Sequence, residues 1–167
     1  MEKFLKTTII CLSLYTTTSF SDTLVLSTKL KIDYPNPVLI AHGSEDLIVK
    51  YKDWSFFHTV FNSKTFYSQI DLTGLEKDFI RLMFGYKEKP HFPEWFPVLA
   101  KGQADAFGIT PDNSKKFNIG NSEILTTHDE SKKKGYIFII EELAVHQISI
   151  HGTQKELNLI VKNIRER

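Results

Sequence analysis

The residues of this chain best suited to metal binding or acid–base chemistry are its histidines. There are six: His42, His58, His91, His128, His146 and His151. No pair has the four-residue helical spacing, with a neighbouring glutamate, that forms a zinc protease site. His146 and His151 lie five residues apart in a predicted strand, so they should point to opposite faces. We therefore predict no metal site and no cofactor, and we interpret His58 as a hydrogen-bonded histidine of the sheet.

Carboxylates and serines give a weaker indication of catalysis. The stretch "THDE", residues 127–130, places an imidazole and two carboxylates beside a lysine-rich turn, where a solvated hairpin tip is the simplest interpretation. The serines show no G-x-S-x-G elbow, and no glycine cluster resembles a phosphate-binding loop. Four carboxylates could pair in the fold as those of glycosidases do; they are Asp71, Asp78, Glu94 and Asp105. We predict no catalytic residue, so an enzyme would need a site assembled only in the fold.

The stretch "KEKPHFPEWFPVL", residues 87–99, contains three of the six prolines of the chain. Because proline lacks an N–H and restricts its neighbour, we predict an irregular connector. Large aromatic side chains are costly to expose, which favours burial of Trp95 and leaves His91, Phe92 and Glu94 for the surface. The alternative is an anchor patch for a partner, since tryptophan is favoured in interfaces and a stiff loop loses little entropy on binding. The candidate contact residues are His91, Phe92, Glu94, Trp95 and Phe96.

Residues 1–21 have the composition of a secretory signal. Two lysines precede a short apolar run, "IICLSLY", and Ser19 and Ser21 supply the small residues that a signal peptidase requires. The run is far shorter than the roughly 20 residues of a membrane span. A buried N-terminal strand is the alternative. We predict cleavage before Asp22, a periplasmic or secreted protein, and no stable membrane anchor.

Cleavage would also remove Cys11, the only cysteine of the chain. The mature domain would then contain no disulfide, no thiolate catalyst and no zinc–sulfur site. The formal net charge of the full chain is +1, and a near-neutral domain has no electrostatic reason to bind nucleic acid or an anionic membrane. We therefore expect another protein as the partner and no nucleic acid, and we leave the oligomeric state open.

The elements that must position these residues form one predicted domain, residues 22–167. The stretches "TLVLSTKLKIDYP", "VLIAH" and "LIVKY" predict strands separated by prolines and a turn. "WSFFHTVF" has apolar residues on both faces, which predicts a central strand covered on both sides. Thr73 and Glu76 have the spacing of a capping box before an apolar helical stripe. "VLAKGQADAF" predicts a short second helix that tolerates Pro97 in its first turn.

The last third of the chain predicts three or four antiparallel strands, with turns at "DESKKKG" and at Glu141–Glu142. Thr153 and Glu156 then repeat the capping-box spacing. The stripe of the helix that follows consists of Leu157, Ile160, Val161 and Ile164. This order of elements predicts an α+β fold, with a mostly antiparallel sheet flanked by helices and a closing C-terminal helix packed on the sheet.

Two parts of the sequence resemble the PsbP-like fold. One is the strand ending in "KIDYP" near the predicted mature start, and the other is the hairpin that runs through "GYIFIIEELAVHQISIHGTQKELNLIVKNI" into the last helix. The likeness lies in the order of elements and in the "G-small-x-x-E-L" entry to that helix, and it covers about a third of the chain. Members of that family are mostly accessory and binding proteins without catalytic residues. The resemblance therefore implies a scaffold and transfers no site residue.

These observations lead to one predicted function and two alternatives. We predict an exported, non-enzymatic binding protein that neutralises or masks a partner such as a toxin, as immunity proteins do. The alternatives are a small envelope enzyme whose site is assembled only in the fold, and a carrier of an apolar ligand. Clustered carboxylates or histidines with perturbed pKa values in a pocket would favour the enzyme. A flat aromatic patch would favour the binding protein, and a dry internal tunnel the carrier.

Overall fold

A computed structural model describes residues 21–43, 46–62, 64, 70–86 and 92–167. The predicted leader and its cleavage lie outside the described residues, Ser21 apart, and stay predictions. The elements in chain order are β1 (Ser21–Val25), β2 (Leu30–Pro35), β3 (Leu39–His42), β4 (Asp46–Lys50), β5 (Ser55–Val60), α1 (Glu76–Met83), α2 (Trp95–Phe107), β6 (Ser114–Ile119), β7 (Ser122–Asp129), β8 (Lys134–Ile140), β9 (Val145–His151), α3 (Gln154–Lys162) and β10 (Ile164–Glu166).

The strands form two antiparallel sheets. The larger sheet has seven strands in the order β3-β4-β5-β9-β8-β7-β6, and the smaller has three in the order β1-β2-β10. Neighbours in both sheets pair antiparallel throughout. The predicted α+β class with a mostly antiparallel sheet is therefore confirmed. β5 is an interior strand, as its apolar pattern predicted.

The two faces of the larger sheet are covered by different layers. One face packs against the smaller sheet and α3, through a core that includes Ile32, Phe56, Ile148 and Ile160. The other face packs against α1 and α2, through a core that includes Phe79, Phe96 and Phe138. Successive residues of a strand point to opposite faces, so each strand of the larger sheet supplies both cores.

The predicted capping box of α3 is confirmed. Thr153 Oγ1 accepts from the first turn of the helix, and the Thr153 backbone N–H donates to Glu156 Oε2 at 2.7 Å. Gly135 in β8 allows α3 to approach the sheet, because a Cβ at that position would collide with the side chain of Leu157. The predicted C-terminal helix packed on the sheet is confirmed, and a short strand, β10, follows it. Ile164, which the sequence pattern assigns to the stripe of α3, lies buried in β10 after the helix has ended.

Two other local predictions were wrong. The stretch predicted as one strand, "TLVLSTKLKIDYP", is the hairpin of β1 and β2, because Ser27 Oγ accepts from the backbone N–H groups of Lys29 and Leu30 and closes a turn. Thr73 does not cap α1, whose N-cap is Leu75 with no side-chain hydrogen bond. The Thr73 N–H instead donates to Asp71 Oδ1 at 2.9 Å, which forms a local turn before the helix.

Candidate functional site

The proline-rich stretch holds the beginning of α2, not only an irregular connector. α2 starts at Trp95 and includes Pro97 as its third residue. The first N–H groups of a helix have no partner within the helix, so proline costs little there. The prediction of an irregular connector is therefore wrong from Trp95 onward. Gly108 ends α2 in the left-handed conformation that glycine adopts without strain.

Trp95 and Phe96 are neighbours with opposite environments. Phe96 is completely buried and lies in the core with Phe79, at 5.8 Å between ring centroids. Trp95 is 44% exposed. Its ring meets the ring of Phe96 edge to face, at 5.6 Å between centroids and 85° between planes, a favoured arrangement of aromatic pairs. The sequence favoured burial of Trp95, and the structure corrects this: the tryptophan lies at the surface, against a fixed aromatic ring.

The exposed side of Trp95 belongs to a groove that we call the apolar groove. Trp95, Val98 and Leu99 have the helical spacing that places them on one side of α2, and Val98 is 71% exposed. The groove opens to solvent, encloses about 770 Å³, and is lined by Ile70, Asp71, Glu94, Trp95, Val98 and Leu99. Its two charged lining residues are acidic, and no lysine or arginine is among the described residues that line it.

The structure separates the five candidate contact residues of the proline-rich stretch. Glu94 and Trp95 line the apolar groove. Phe92, expected at the surface, is half-buried, with its ring 4.7 Å from the ring of Phe96. Phe96 cannot meet a partner because it is buried, so it supports the groove from below. His91 lies outside the described residues.

A second region, on the other face of the larger sheet, was missed by sequence reasoning. It is a chain of hydrogen bonds that we call the histidine relay, formed by Glu141, His146 and His58. Glu141 follows β8, and its Oε2 lies 3.2 Å from His146 Nε2. Its Oε1 accepts from Ser27 Oγ at 3.0 Å and lies 3.4 Å from Ser122 Oγ. All three contacts suit a carboxylate, which can only accept.

The relay continues from β9 to β5. His146 Nδ1 lies 3.2 Å from His58 Nε2, and the two rings stack at 21°. If Glu141 accepts from His146 Nε2–H, then Nδ1 of a neutral His146 is an acceptor, and His58 Nε2 must donate to it. The remaining lone pair of a neutral His58 is then on Nδ1. The relay fixes the tautomers of both rings.

Burial keeps both imidazoles of the relay neutral at pH 7. Burial and the neighbouring His146 lower the pKa of His58 to about 4, against a smaller opposing effect of Asp46. Burial also lowers the pKa of His146, although Glu141 opposes this. The contact between His146 and Glu141 is therefore a hydrogen bond from a neutral ring to a carboxylate, not an ion pair.

The relay ends at a cleft between the two sheets, which we call the histidine cleft. His58 lines this cleft, which encloses about 460 Å³. Asp46 and His42 bring further polar groups from β4 and β3. The other lining residues are Leu24, Val25, Gly43, Leu47, Val60 and Asn62. The interpretation of His58 as a hydrogen-bonded sheet histidine is confirmed, but its partner, another histidine, was not foreseen.

The "THDE" stretch and Asp78, which the sequence offered as candidates for chemistry, have structural roles. The "THDE" stretch is divided: Asp129 closes the hairpin turn by accepting from Ser131 and the Lys132 N–H, whereas His128 is buried, with Nε2 3.0 Å from the Gly152 carbonyl oxygen. Asp78 pairs with Arg81 in α1 at 3.5 Å. In the described part of the chain, no group of three or more His, Cys, Asp or Glu residues could hold a metal ion.

Comparison with known proteins adds no relative. No family model, curated protein or solved structure matches this chain. The resemblance to the PsbP-like fold therefore stays a prediction. None of the helices among the described residues is long and apolar enough to cross a membrane.

Proposed function

We propose that this domain is an exported binding protein that masks a partner protein, such as a toxin, by accepting an apolar segment of that partner in the apolar groove. The observation that supports this most directly is the half-exposed Trp95, seated on the buried ring of Phe96. Tryptophans that anchor interfaces contribute most when they are already held in the binding conformation, since little side-chain entropy is then lost.

The lining of the groove indicates the chemistry of the partner segment. Ile70, Trp95, Val98 and Leu99 offer apolar surface, and Asp71 and Glu94 add negative charge. Complementary potentials favour the correct partner and speed its association. The partner segment should therefore carry one or more large apolar side chains next to lysine or arginine.

The leader-like composition of residues 1–21 and the resemblance to a family of accessory proteins support the same proposal. Export would place the domain where a secreted or envelope partner is met. The resemblance implies a scaffold without catalytic residues, which fits a domain that acts on its partner by binding it.

The proposal is tested with Val98→Glu, which places a charge in the groove at a residue that is already 71% exposed. The matched control is Leu143→Glu, since Leu143 is 97% exposed and does not line the groove. Both variants should unfold at the wild-type denaturant midpoint. For an immunity-type protein we expect the toxin to be encoded by the adjacent gene. The product of that gene, added as a purified protein, should bind the wild type and Leu143→Glu but not Val98→Glu.

Two results would count against the proposal. If Val98→Glu binds that product as tightly as the wild type does, the groove is not the contact. If the product does not bind the wild type, it is not the partner. The wild type, Leu143→Glu and Val98→Glu are then each cross-linked in extracts of the producing cells. The wild type and Leu143→Glu should capture a protein that Val98→Glu does not capture. Capture of the same proteins by all three would contradict a partner at this groove.

A further inference from the structure

We propose that His58 is the nucleophile of an acyl-transfer site in the histidine cleft, and that its substrates are small neutral esters with a short apolar acyl chain. This activity goes beyond the binding function proposed for the apolar groove, because the two regions lie on opposite faces of the larger sheet and share no residue.

The geometry is that of an activated nucleophile. Such a site is recognised by a base within hydrogen-bond reach of the nucleophile and by a third group that orients the base. His146 Nδ1, 3.2 Å from His58 Nε2, is the base. Glu141, 3.2 Å from His146 Nε2, orients it, and Ser27 Oγ holds Glu141 in turn. A hydrogen-bonded cluster with a purely structural role would need no open end, whereas this relay ends at the wall of a cleft.

The relay supports acyl transfer to His58 followed by hydrolysis of the acyl-imidazole. The Nδ1 lone pair of His58 attacks the ester carbonyl carbon and forms the N–C bond, while the C–O bond to the alcohol breaks and the alkoxide leaves with the electron pair. The Nε2 proton of His58 passes to His146 Nδ1, and Glu141 stabilises the resulting imidazolium. The alkoxide takes a proton from water and leaves as the alcohol. The resulting hydroxide attacks the acyl-imidazole, the N–C bond breaks, and the carboxylic acid is released. His146 returns its proton to Nε2 of His58, which restores the starting form.

The lining of the cleft selects the substrate class. Leu24, Val25, Leu47 and Val60 offer apolar walls for an acyl chain. No lysine or arginine is among the described residues that line the cleft, and Asp46 would repel an anion. Phosphate esters and acids are therefore disfavoured. A space of about 460 Å³ suits a small ester.

The protonation state of His58 suits a nucleophile over a wide pH range. Burial and the neighbouring His146 hold the pKa of His58 at about 4, with Asp46 opposing. An imidazole of ordinary pKa, about 6.5, is mostly protonated at pH 5 and cannot attack. The titratable or charged groups that face His58 from the surrounding strands are His146, Asp46 and His42, with Glu141 behind His146.

The test uses the full-length chain with p-nitrophenyl acetate and measures the release of p-nitrophenol, with the acetylated residue located by mass spectrometry. We expect saturable release and acetylation of His58. The rate should change little between pH 7 and pH 5 after subtraction of the spontaneous reaction. His58→Gln should lower the rate at least tenfold. The control is His151→Gln, because His151 is exposed and outside the cleft, and it should retain the wild-type rate.

Further variants keep the test valid if His58→Gln fails to fold. Val60→Trp fills the cleft at a residue that is 45% exposed and is not a member of the relay, and it should abolish saturation. Glu141→Gln should lower the rate at saturation with little change in KM, because an amide can leave His146 in the wrong tautomer. Asp46→Asn should raise the rate with an anionic ester more than the rate with the acetate.

The proposal is overturned if release does not saturate, if the acetyl group is found only on other residues, or if Val60→Trp reacts like the wild type. An unchanged rate at saturation in a folded Glu141→Gln variant would remove Glu141 and His146 from the mechanism. Val98→Glu should keep the wild-type rate, so failure of the binding function and failure of this activity are distinguishable.

Discussion

The apolar groove and the histidine cleft lie on opposite faces of the same sheet, and the chain builds them differently. Trp95, Val98 and Leu99 in the groove lie within one helix, and local spacing places them side by side. The relay joins His58, Glu141 and His146, two of them more than eighty residues apart in sequence. Helical spacing brings the groove residues together once the helix is known, whereas the buried polar chain becomes visible only when strand pairing is known.

The largest expected effect separates a buried residue from an exposed residue in the first turn of α2. Phe96→Ala should lower the free energy of unfolding by about 3–5 kcal/mol, because it removes a fully buried ring and leaves a cavity. Val98→Ala, at a 71% exposed residue of the same helix, should change it by less than about 0.5 kcal/mol. Denaturant unfolding measures both. Similar losses in the two variants would mean that the groove is part of the core.

The second effect belongs to the cleft and depends on pH. The pKa of His58 is about 4 in the folded protein and about 6.5 when unfolded, so the unfolded chain binds more protons between these values. Stability should therefore be complete above about pH 7 and should fall by about 3 kcal/mol as the pH drops towards 4. His58→Gln should lose less on acidification, as followed by guanidinium unfolding at both pH values. Equal acid losses in the wild type and the variant would contradict a buried neutral His58.

The same contrast explains which parts of the fold could be predicted. The strands around "LIVKY" and "WSFFHTVF" and the capped helix at Thr153 follow from local patterns, and the structure has them. The turn that divides β1 from β2 depends on a single serine, Ser27, which accepts from two backbone N–H groups, and an apolar pattern does not show this. The register of β5 against β9, which pairs His58 with Ile148 and Val60 with His146, brings the two histidines onto one face, and local patterns do not reveal it.

A smaller effect tests how far a local pattern can be relied upon. The spacing Thr-x-x-Glu occurs at Thr73 and at Thr153, but only Thr153 caps a helix. Thr153→Ala should cost about 1 kcal/mol of stability, whereas Thr73→Ala should cost nearly nothing. Denaturant midpoints of the two variants measure the difference. Equal costs would show that α1 depends on a cap at Thr73 after all.

The central claim is that Trp95 serves binding and not folding, and one variant tests it most directly. Trp95→Ala is compared with the wild type in two titrations of the same samples, one with denaturant and one with the partner protein captured by the wild type. We predict a nearly unchanged midpoint and a loss of binding of about 2 kcal/mol, or roughly thirtyfold in Kd. A stability loss of about 3–5 kcal/mol, as expected for a buried tryptophan, or an unchanged Kd would contradict the claim.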